Sequence, residues 1–244
     1  MEAKDNKPVK IRELDCRLNC LTRTDGSVLL RQGNTAVVVG CYGPIEAKSQ
    51  RMFIDKSSVE VHYRPKAGLP GVGDRFQEAI IKNICQTSLV ASLYPRSSVV
   101  VVVQELQNFG SLISCAVNAV CLALLSSGID MHFSVAALTC TLCKNEKMHL
   151  DPGLVELEDA KAVFVFVFDS NEGQIVASHT TDLLSKTSNR DPLSDVSNSD
   201  SLAEIWNSNP LSPNANASPF FDNFFKQIIS TVMFGSKLSK SVVG

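Results

Sequence analysis

The sequence predicts an α+β protein of two layers, with mixed sheets, a central buried helix and a C-terminal helix. Three observations support this class. Segments with strand and helix patterns follow one another as a β-meander, a helix, a strand, a helix and further strands. The stretch between Ser111 and Gly128 is apolar or small almost all round, which is typical of a helix buried on every side. Apolar residues recur at helical spacing from Phe220 to Val232, which predicts an amphipathic helix packed on the body over 219–240.

Composition limits the possible functions. The 244 residues are 44% hydrophobic and 20% charged, as in globular domains, and we expect neither a membrane span nor a signal peptide. A net charge of −2 gives no general attraction to nucleic acid, so binding to it requires a local basic patch.

Eight cysteines are scattered through apolar surroundings. We expect them to be reduced, buried and small hydrophobic residues of a nuclear or cytosolic protein. They are Cys16, Cys20, Cys41, Cys85, Cys115, Cys121, Cys140 and Cys143.

The chain divides into a tail, one folded domain and an insertion. Residues 1–13 are rich in lysine and predict a flexible tail. Residues 185–218 are rich in Ser, Asn, Asp and Pro, which predicts a disordered insertion because they cannot bury enough apolar surface. The domain comprises residues 14–184 and 219–240.

Turn signals place the first strands. Segments 14–21, 28–31 and 36–42 predict a meander, in which Gly43-Pro44 ends the third strand. After a polar loop, residues 59–64 alternate as a half-buried strand does.

A breaker-rich loop at 64–73 then leads into the next helix. Asp74 is predicted to cap this helix, and Tyr94-Pro95 to end it.

The central helix follows a β-branched strand at 97–103. Gly110 and Ser111 predict a turn and an N-cap whose hydroxyl accepts backbone N–H groups, and Gly128 predicts the end of the helix. A helix start after a strand also suits a phosphate. Because no cation is near in sequence, we favour the cap over phosphate binding.

Strands are predicted at 133–143, 148–152, 163–168 and 174–178, with the last two forming a hairpin.

Several short motifs in a fixed order resemble the RNase PH family, and within it the core-ring subunits of the eukaryotic RNA exosome. The resemblance spans residues 11–183 and implies a fold like domain 2 of ribosomal protein S5, a ring of six related subunits, and RNA in the central channel. The motifs are Asp25-Gly26-Ser27, Gln32-Gly33-Asn34-Thr35, Tyr42-Gly43-Pro44, residues 64–71, Leu93-Tyr94-Pro95-Arg96, Gly110-Ser111-Leu112 with Asn118-Ala119, and Leu150-Asp151-Pro152.

The same resemblance implies a degenerate active site. Active members hold phosphate on a Gly-Gly-Thr-Arg sequence, and here the matching residues are Gly110, Ser111, Leu112 and Ile113. The positions of the metal-binding aspartates fall on Leu157 and Val163, which cannot bind a metal. We therefore expect no catalytic residues, no metal and no cofactor.

Four cations are candidate RNA contacts: Arg64, Lys66, Arg75 and Arg96. The first three flank the 64–73 loop and suit backbone phosphates, while a solvated cationic loop is the alternative.

The resulting hypothesis is a non-catalytic subunit of the exosome ring, which supports RNA processing and 3′ to 5′ decay. Its partners would be other ring subunits, cap subunits and RNA, in the nucleus, nucleolus and cytoplasm. The alternative is a homodimeric, metal-dependent nuclease acting on RNA or DNA, with Glu156, Glu158 and Asp159 as its acidic residues.

Overall fold

The computed structural model describes residues 12–143, 148–171 and 173–182. The predicted tail up to residue 11, the 185–218 insertion and the 219–240 helix lie outside the described residues and stay predictions.

Five strands form the first sheet, in the order β1-β2-β3-β5-β4. The predicted meander β1 to β3 is confirmed as antiparallel, whereas β4 and β5 run parallel, so this sheet is mixed. The strands are β1 Leu14–Leu18, β2 Gly26–Gln32, β3 Thr35–Glu46, β4 Ser58–Arg64 and β5 Ser97–Gln107.

The described strands of the second sheet are all antiparallel, in the order β7-β6-β8-β9. The predicted hairpin is confirmed in β8 and β9, both longer than the sequence indicates. The strands are β6 Val135–Cys143, β7 Met148–Leu150, β8 Ala160–Asp169 and β9 Ile175–Asp182.

Helix α2, Leu112–Ser127, packs against β2 and β3 of the first sheet and β6 of the second. Its burial on every side is confirmed, since 12 of its 16 residues are buried. The sequence predicts two layers, but this helix lies between two sheets. The other helices are α1 Val72–Ser88, a 3₁₀ turn Ala91–Leu93, and α3 Leu154–Glu158.

One polar side chain is enclosed with this apolar helix. Asn118 donates to the carbonyl of Ala137 at 3.0 Å and accepts from the N–H of Ala137 at 2.7 Å. Both hydrogen-bonding groups of the amide are thus paired to the β6 backbone, which satisfies their burial.

Two predicted boundaries are wrong. Strand β3 continues through Gly43-Pro44 to Glu46, because a register shift between Tyr42 and Ile45 absorbs the turn residues. Helix α1 ends at Ser88 rather than at Tyr94, because Leu89 is extended and forms a bridge with Met131.

Asp74 takes part in capping α1, as predicted, but from the first turn and not from the N-cap position. Gly71 is the N-cap, and Asp74, in the first turn, accepts the N–H of Gly71 at 2.9 Å.

All eight cysteines are free, and six are buried. Cys20 is exposed and Cys143 half-buried, which corrects the expectation that every one is buried. Within the described residues, no helix has both the length and the apolar character needed to cross a membrane.

Candidate functional site

The start of α2, which the sequence assigns as a degenerate phosphate site, is buried. Gly110 and Ser111 both have positive φ, 103° and 53°, and Ser111 is 5% exposed. The Ser111 hydroxyl makes no cap hydrogen bond; it donates to the carbonyl of Pro152 at 3.0 Å. The expectation that this hydroxyl accepts N–H groups of α2 is therefore wrong, because the left-handed backbone of Ser111 directs the hydroxyl to the segment after β7. Leu112 is buried, and Ile113 packs partly against the core.

The segment containing Pro152 approaches this helix start closely. A Cβ on Gly110 would lie 2.5 Å from the Pro152 carbonyl oxygen, so only glycine fits there. The Gly110 carbonyl accepts the Thr35 hydroxyl at 2.7 Å, which joins the start of β3 to the same turn.

Arg12, which belongs to the predicted tail, lies beside the start of α2. Nε of Arg12 donates to Oδ2 of Asp151 at 2.9 Å, and its Nη2 donates to Oδ1 of Asp151 and, at 3.3 Å, to the Gly110 carbonyl. The side chain of Asp151 is 1% exposed and also accepts Nε2 of Gln32 at 2.8 Å. The carboxylate thus neutralises the guanidinium beside the helix start.

The positions assigned to the metal-binding aspartates carry no oxygen ligands. Val163 lies on β8, paired with Thr141 on one side and Thr181 on the other, and Leu157 lies on α3. The Oγ1 of Thr141 is buried and has no hydrogen-bond partner among the described residues. Aliphatic side chains at Leu157 and Val163 do not fit a divalent cation, which requires oxygen donors.

The acids near α3 do not supply such a centre either. Glu156 accepts the N–H of Gly153, the N-cap of α3, at 2.9 Å, and its Oε1 lies 3.9 Å from Nδ1 of His149. In the part of the chain that the structure describes, no three His, Cys, Asp or Glu residues are grouped to hold a metal ion.

Three of the four candidate RNA contacts lie at one end of the molecule. Arg64 ends β4, Lys66 follows it, and Arg75 is in the first turn of α1. The N–H of Tyr63 donates to Glu78 of α1 at 3.1 Å, which holds the first turns of α1 beside the end of β4. All three cations are exposed, and none forms an ion pair with a described residue.

Arg96 lies elsewhere. It precedes β5, whose Ser98 pairs with Ser58 at the opposite end of β4 from Arg64. Six residues of strand separate the two ends, a distance of about 20 Å. The structure therefore does not bring Arg96 together with the other three cations.

The two sheets, the buried α2 and the β4-α1-β5 crossover define an RNase PH-like protein, and the chain belongs to the RNase PH family. Residues 10–130 match the family described as RNase_PH, 3′ exoribonuclease family, domain 1.

Similar proteins and structures carry exosome names. The "Exosome complex exonuclease RRP46 homolog" of Arabidopsis thaliana is 34% identical to this chain, and the match covers 66% of this chain and 67% of the relative. The protein of the same name from Oryza sativa subsp. japonica is 30% identical, and the match covers 69% of this chain and 71% of the relative. The crystal structure of rice Rrp46 has 28% identity and a TM-score of 0.69, covering 76% of this chain and 87% of its own. An archaeal exosome core subunit, with a TM-score of 0.62 at 18% identity over 71% of this chain and 76% of its own, shares the fold.

Proposed function

We propose that this chain is a non-catalytic subunit of the RNA exosome core ring. It would assemble with other RNase PH-like ring subunits and with cap subunits, support RNA processing and 3′ to 5′ degradation, and act in the nucleus, the nucleolus and the cytoplasm. The similarity to exosome proteins of two plants and to rice Rrp46 supports membership of the assembly.

The closed start of α2 is the main observation that supports the absence of catalysis in this proposal. Phosphorolysis needs an inorganic phosphate held by donors, with positive charge to stabilise the transferring group. Here the turn before α2 is covered by Pro152, and the nearby Arg12 is neutralised by Asp151. Leu112 and Ile113 add no hydrogen-bond donor in their side chains.

Arg64, Lys66 and Arg75 support an RNA contact at one end of the molecule. Exposed cations without ion-pair partners bind phosphates at little desolvation cost and without reading sequence. We assign the RNA path to these three residues and not to Arg96, which lies at the other end of β4 and β5.

A phosphorolysis assay tests the catalytic part. The purified protein, incubated with single-stranded RNA and inorganic phosphate, should release no nucleoside diphosphate. An active RNase PH family enzyme run in parallel is the positive control. Release that depends on phosphate and disappears in Arg12→Ala would show that the helix start is a working anion site.

Size and composition of the native complex test the assembly. A tagged chain should elute in a large complex that contains other RNase PH-like subunits by mass spectrometry. A dimer-sized peak with nuclease activity would support the alternative of a homodimeric metal-dependent nuclease. That alternative is not favoured, because Glu156 is used in capping α3.

A further inference from the structure

Phe76 is an exposed aromatic residue in the first turns of α1. The residue is 52% exposed, although phenylalanine is usually among the most buried residue types. Single exposed apolar residues are common at protein surfaces, so it is the surroundings of Phe76, and not its exposure alone, that suggest a role.

The ring of His179 holds the ring of Phe76 in place. Their centroids are 5.0 Å apart with an interplanar angle of 60°, an edge-to-face contact. His179 on β9 is fixed in turn, because its Nε2 lies 3.0 Å from Oγ1 of Thr181. The contact joins α1 to β9, and it leaves much of the Phe76 ring accessible to solvent.

His179 of this pair lies close to Val163, one of the two positions assigned to the metal-binding aspartates. His179 pairs with Val165 and Thr181 with Val163, so His179 lies two residues along β9 from the position opposite Val163. Because side chains alternate along a strand, His179, Thr181 and Val163 are on one face of the sheet.

The first turns of α1, which carry Phe76 and Arg75, lie beside the end of β4 that precedes Lys66. Arg75 directly precedes Phe76, and Arg64 and Lys66 lie at the end of β4 that α1 contacts through Glu78. Proteins that bind single-stranded nucleic acid combine such a cationic path with aromatic rings on which bases stack. Both elements are present here, the ring of Phe76 and the cation of Arg75 in the first turns of α1, with Arg64 and Lys66 at the neighbouring end of β4.

The two other exposed phenylalanines among the described residues have different surroundings. Phe53 is 50% exposed, but Nζ of Lys56 lies 5.3 Å from its ring centroid, at the end of the first sheet where Arg96 lies. Phe109 is 45% exposed and belongs to the turn before α2, where Arg12 donates to its carbonyl. Of the three, Phe76 alone combines a fixed ring with neighbouring cations that have no ion-pair partner among the described residues.

We propose that Phe76 is a stacking platform for one base of a single-stranded RNA whose phosphates contact Arg64, Lys66 and Arg75. This inference rests on the proposed RNA-binding function. The edge contact with His179 fixes the ring before RNA arrives, which lowers the entropy cost of binding.

A thermodynamic cycle between protein and RNA tests the proposal. The full chain, and the reconstituted ring that contains it, are titrated with fluorescent oligoadenylate and with oligoadenylates that each carry one abasic nucleotide. Phe76→Leu should weaken binding of the intact RNA roughly tenfold, since stacking of one base contributes about that factor. One of the abasic RNAs lacks the base that stacks on Phe76. The wild type should bind this RNA as weakly as the Phe76→Leu variant binds intact RNA. The variant should bind this abasic RNA no more weakly than the wild type does.

Control variants separate stacking from packing. Phe76→Trp should keep the affinity within about threefold, because indole offers a stacking face of equal or larger area. Phe76→Leu should leave the salt dependence of binding unchanged, whereas Arg75→Ala should reduce it.

Three results would overturn the inference. If Phe76→Leu binds RNA as the wild type does while Arg75→Ala binds weakly, the RNA path stands and stacking on Phe76 is wrong. If Phe76→Leu weakens every abasic RNA by the same factor as intact RNA, the ring supports the fold rather than a base. If neither the chain nor its ring binds oligoadenylate, the proposed RNA-binding function fails together with the inference.

Discussion

Arg12 and Asp151 are 139 residues apart in sequence and form a two-point ion pair that closes the start of the central helix. The backbone N–H of Arg12 also donates to the same carboxylate at 3.0 Å. The pair therefore fastens the segment before β1 to the segment after β7, across the turn that leads into α2.

Asp151→Asn should lower the free energy of unfolding by about 3 kcal/mol, because it leaves a partly buried guanidinium without its charge partner. Asp151 has a positive φ of 53°, which asparagine tolerates, so the change tests the charge and not the backbone. Urea denaturation provides the measurement.

Arg51→Ala is the matched control for this ion pair. Arg51 is 62% exposed and pairs at 3.0 Å with Glu60, whose side chain is 10% exposed. Because Arg51 is largely solvated, its loss should cost about 1 kcal/mol, less than the loss of Asp151. Equal losses for Asp151→Asn and Arg51→Ala would contradict a buried role for the Arg12 pair.

Asn118→Ala should destabilise the protein by about 3 kcal/mol, because two buried backbone groups of Ala137 would lose their partners. Asn118→Asp should also destabilise, since a carboxylate cannot donate to the Ala137 carbonyl. Hydrogen exchange at the Ala137 amide should accelerate in both variants. Asn83→Ala, on the exposed face of α1, should change the unfolding free energy by less than about 0.5 kcal/mol.

Gly110→Ala and Gly73→Ala should have opposite effects on stability. At Gly110 the new methyl group would meet the Pro152 carbonyl, and the φ of 103° would be strained, so we expect a loss of at least about 2 kcal/mol. Gly73 is in the first turn of α1 with open space around it, so alanine there should add about 0.5 kcal/mol. Thermal unfolding of the two variants gives the comparison, and a shift of both in one direction would refute it.

Burial controls the chemistry of the thiols. It raises the pKa of Cys16 and Cys41 to about 11 and the pKa of Cys115 and Cys140 to about 12, from 9.0. A thiol-specific reagent at pH 8 should therefore label Cys20 in the native protein and label the six buried thiols only after denaturation. Cys20→Ser should remove the fastest phase of labelling and leave at most a slower reaction of the half-buried Cys143, and an unchanged fast phase would contradict the assignment.

The same pKa shifts predict loss of stability in alkali. Above pH 9 the unfolded chain releases thiol protons that the native state retains, so the native state binds more protons and the free energy of unfolding falls as pH rises. For Cys16 and Cys41 this contribution is lost between pH 9 and about 11. Cys41→Ala should make the decline shallower than in the wild type, and identical slopes would exclude this thiol as a source.

The location of each candidate cation in the fold predicts whether its replacement weakens RNA binding. Arg75→Ala and Lys66→Ala should each weaken RNA binding and reduce the slope of log affinity against log salt by about 1, as loss of one phosphate contact does. Fluorescence anisotropy at several salt concentrations provides both quantities.

Arg96→Asn is the control for this series, because asparagine accepts the positive φ of 59° at that position. It should leave the affinity for RNA unchanged. A loss equal to that of Arg75→Ala would place the RNA path at both ends of the first sheet.

Patterns among neighbouring residues of the sequence were sufficient to predict much of the fold. The turn residues around Gly26 and Gly33 predicted the meander, the uniformly apolar stretch predicted the buried α2, and Gly128 predicted its end, where φ is 74°. These features depend on residues that are neighbours in sequence, so backbone preferences and the spacing of hydrophobic residues are enough to predict them.

Contacts between distant residues were not readable in the same way. The sequence assigned Arg12 to a tail and Ser111 to a simple cap, because nothing near either residue indicates that the Asp151-Pro152 segment covers both. It grouped Arg96 with Arg64, Lys66 and Arg75 as candidate RNA contacts, and it did not mark Phe76 as a binding residue. By itself, the sequence determined the element types, the family resemblance and the absence of polar side chains at Leu112, Ile113, Leu157 and Val163. Only the tertiary structure decided which charges are neutralised, which cations share one end and which ring stays exposed, because each of these depends on how the two sheets enclose α2.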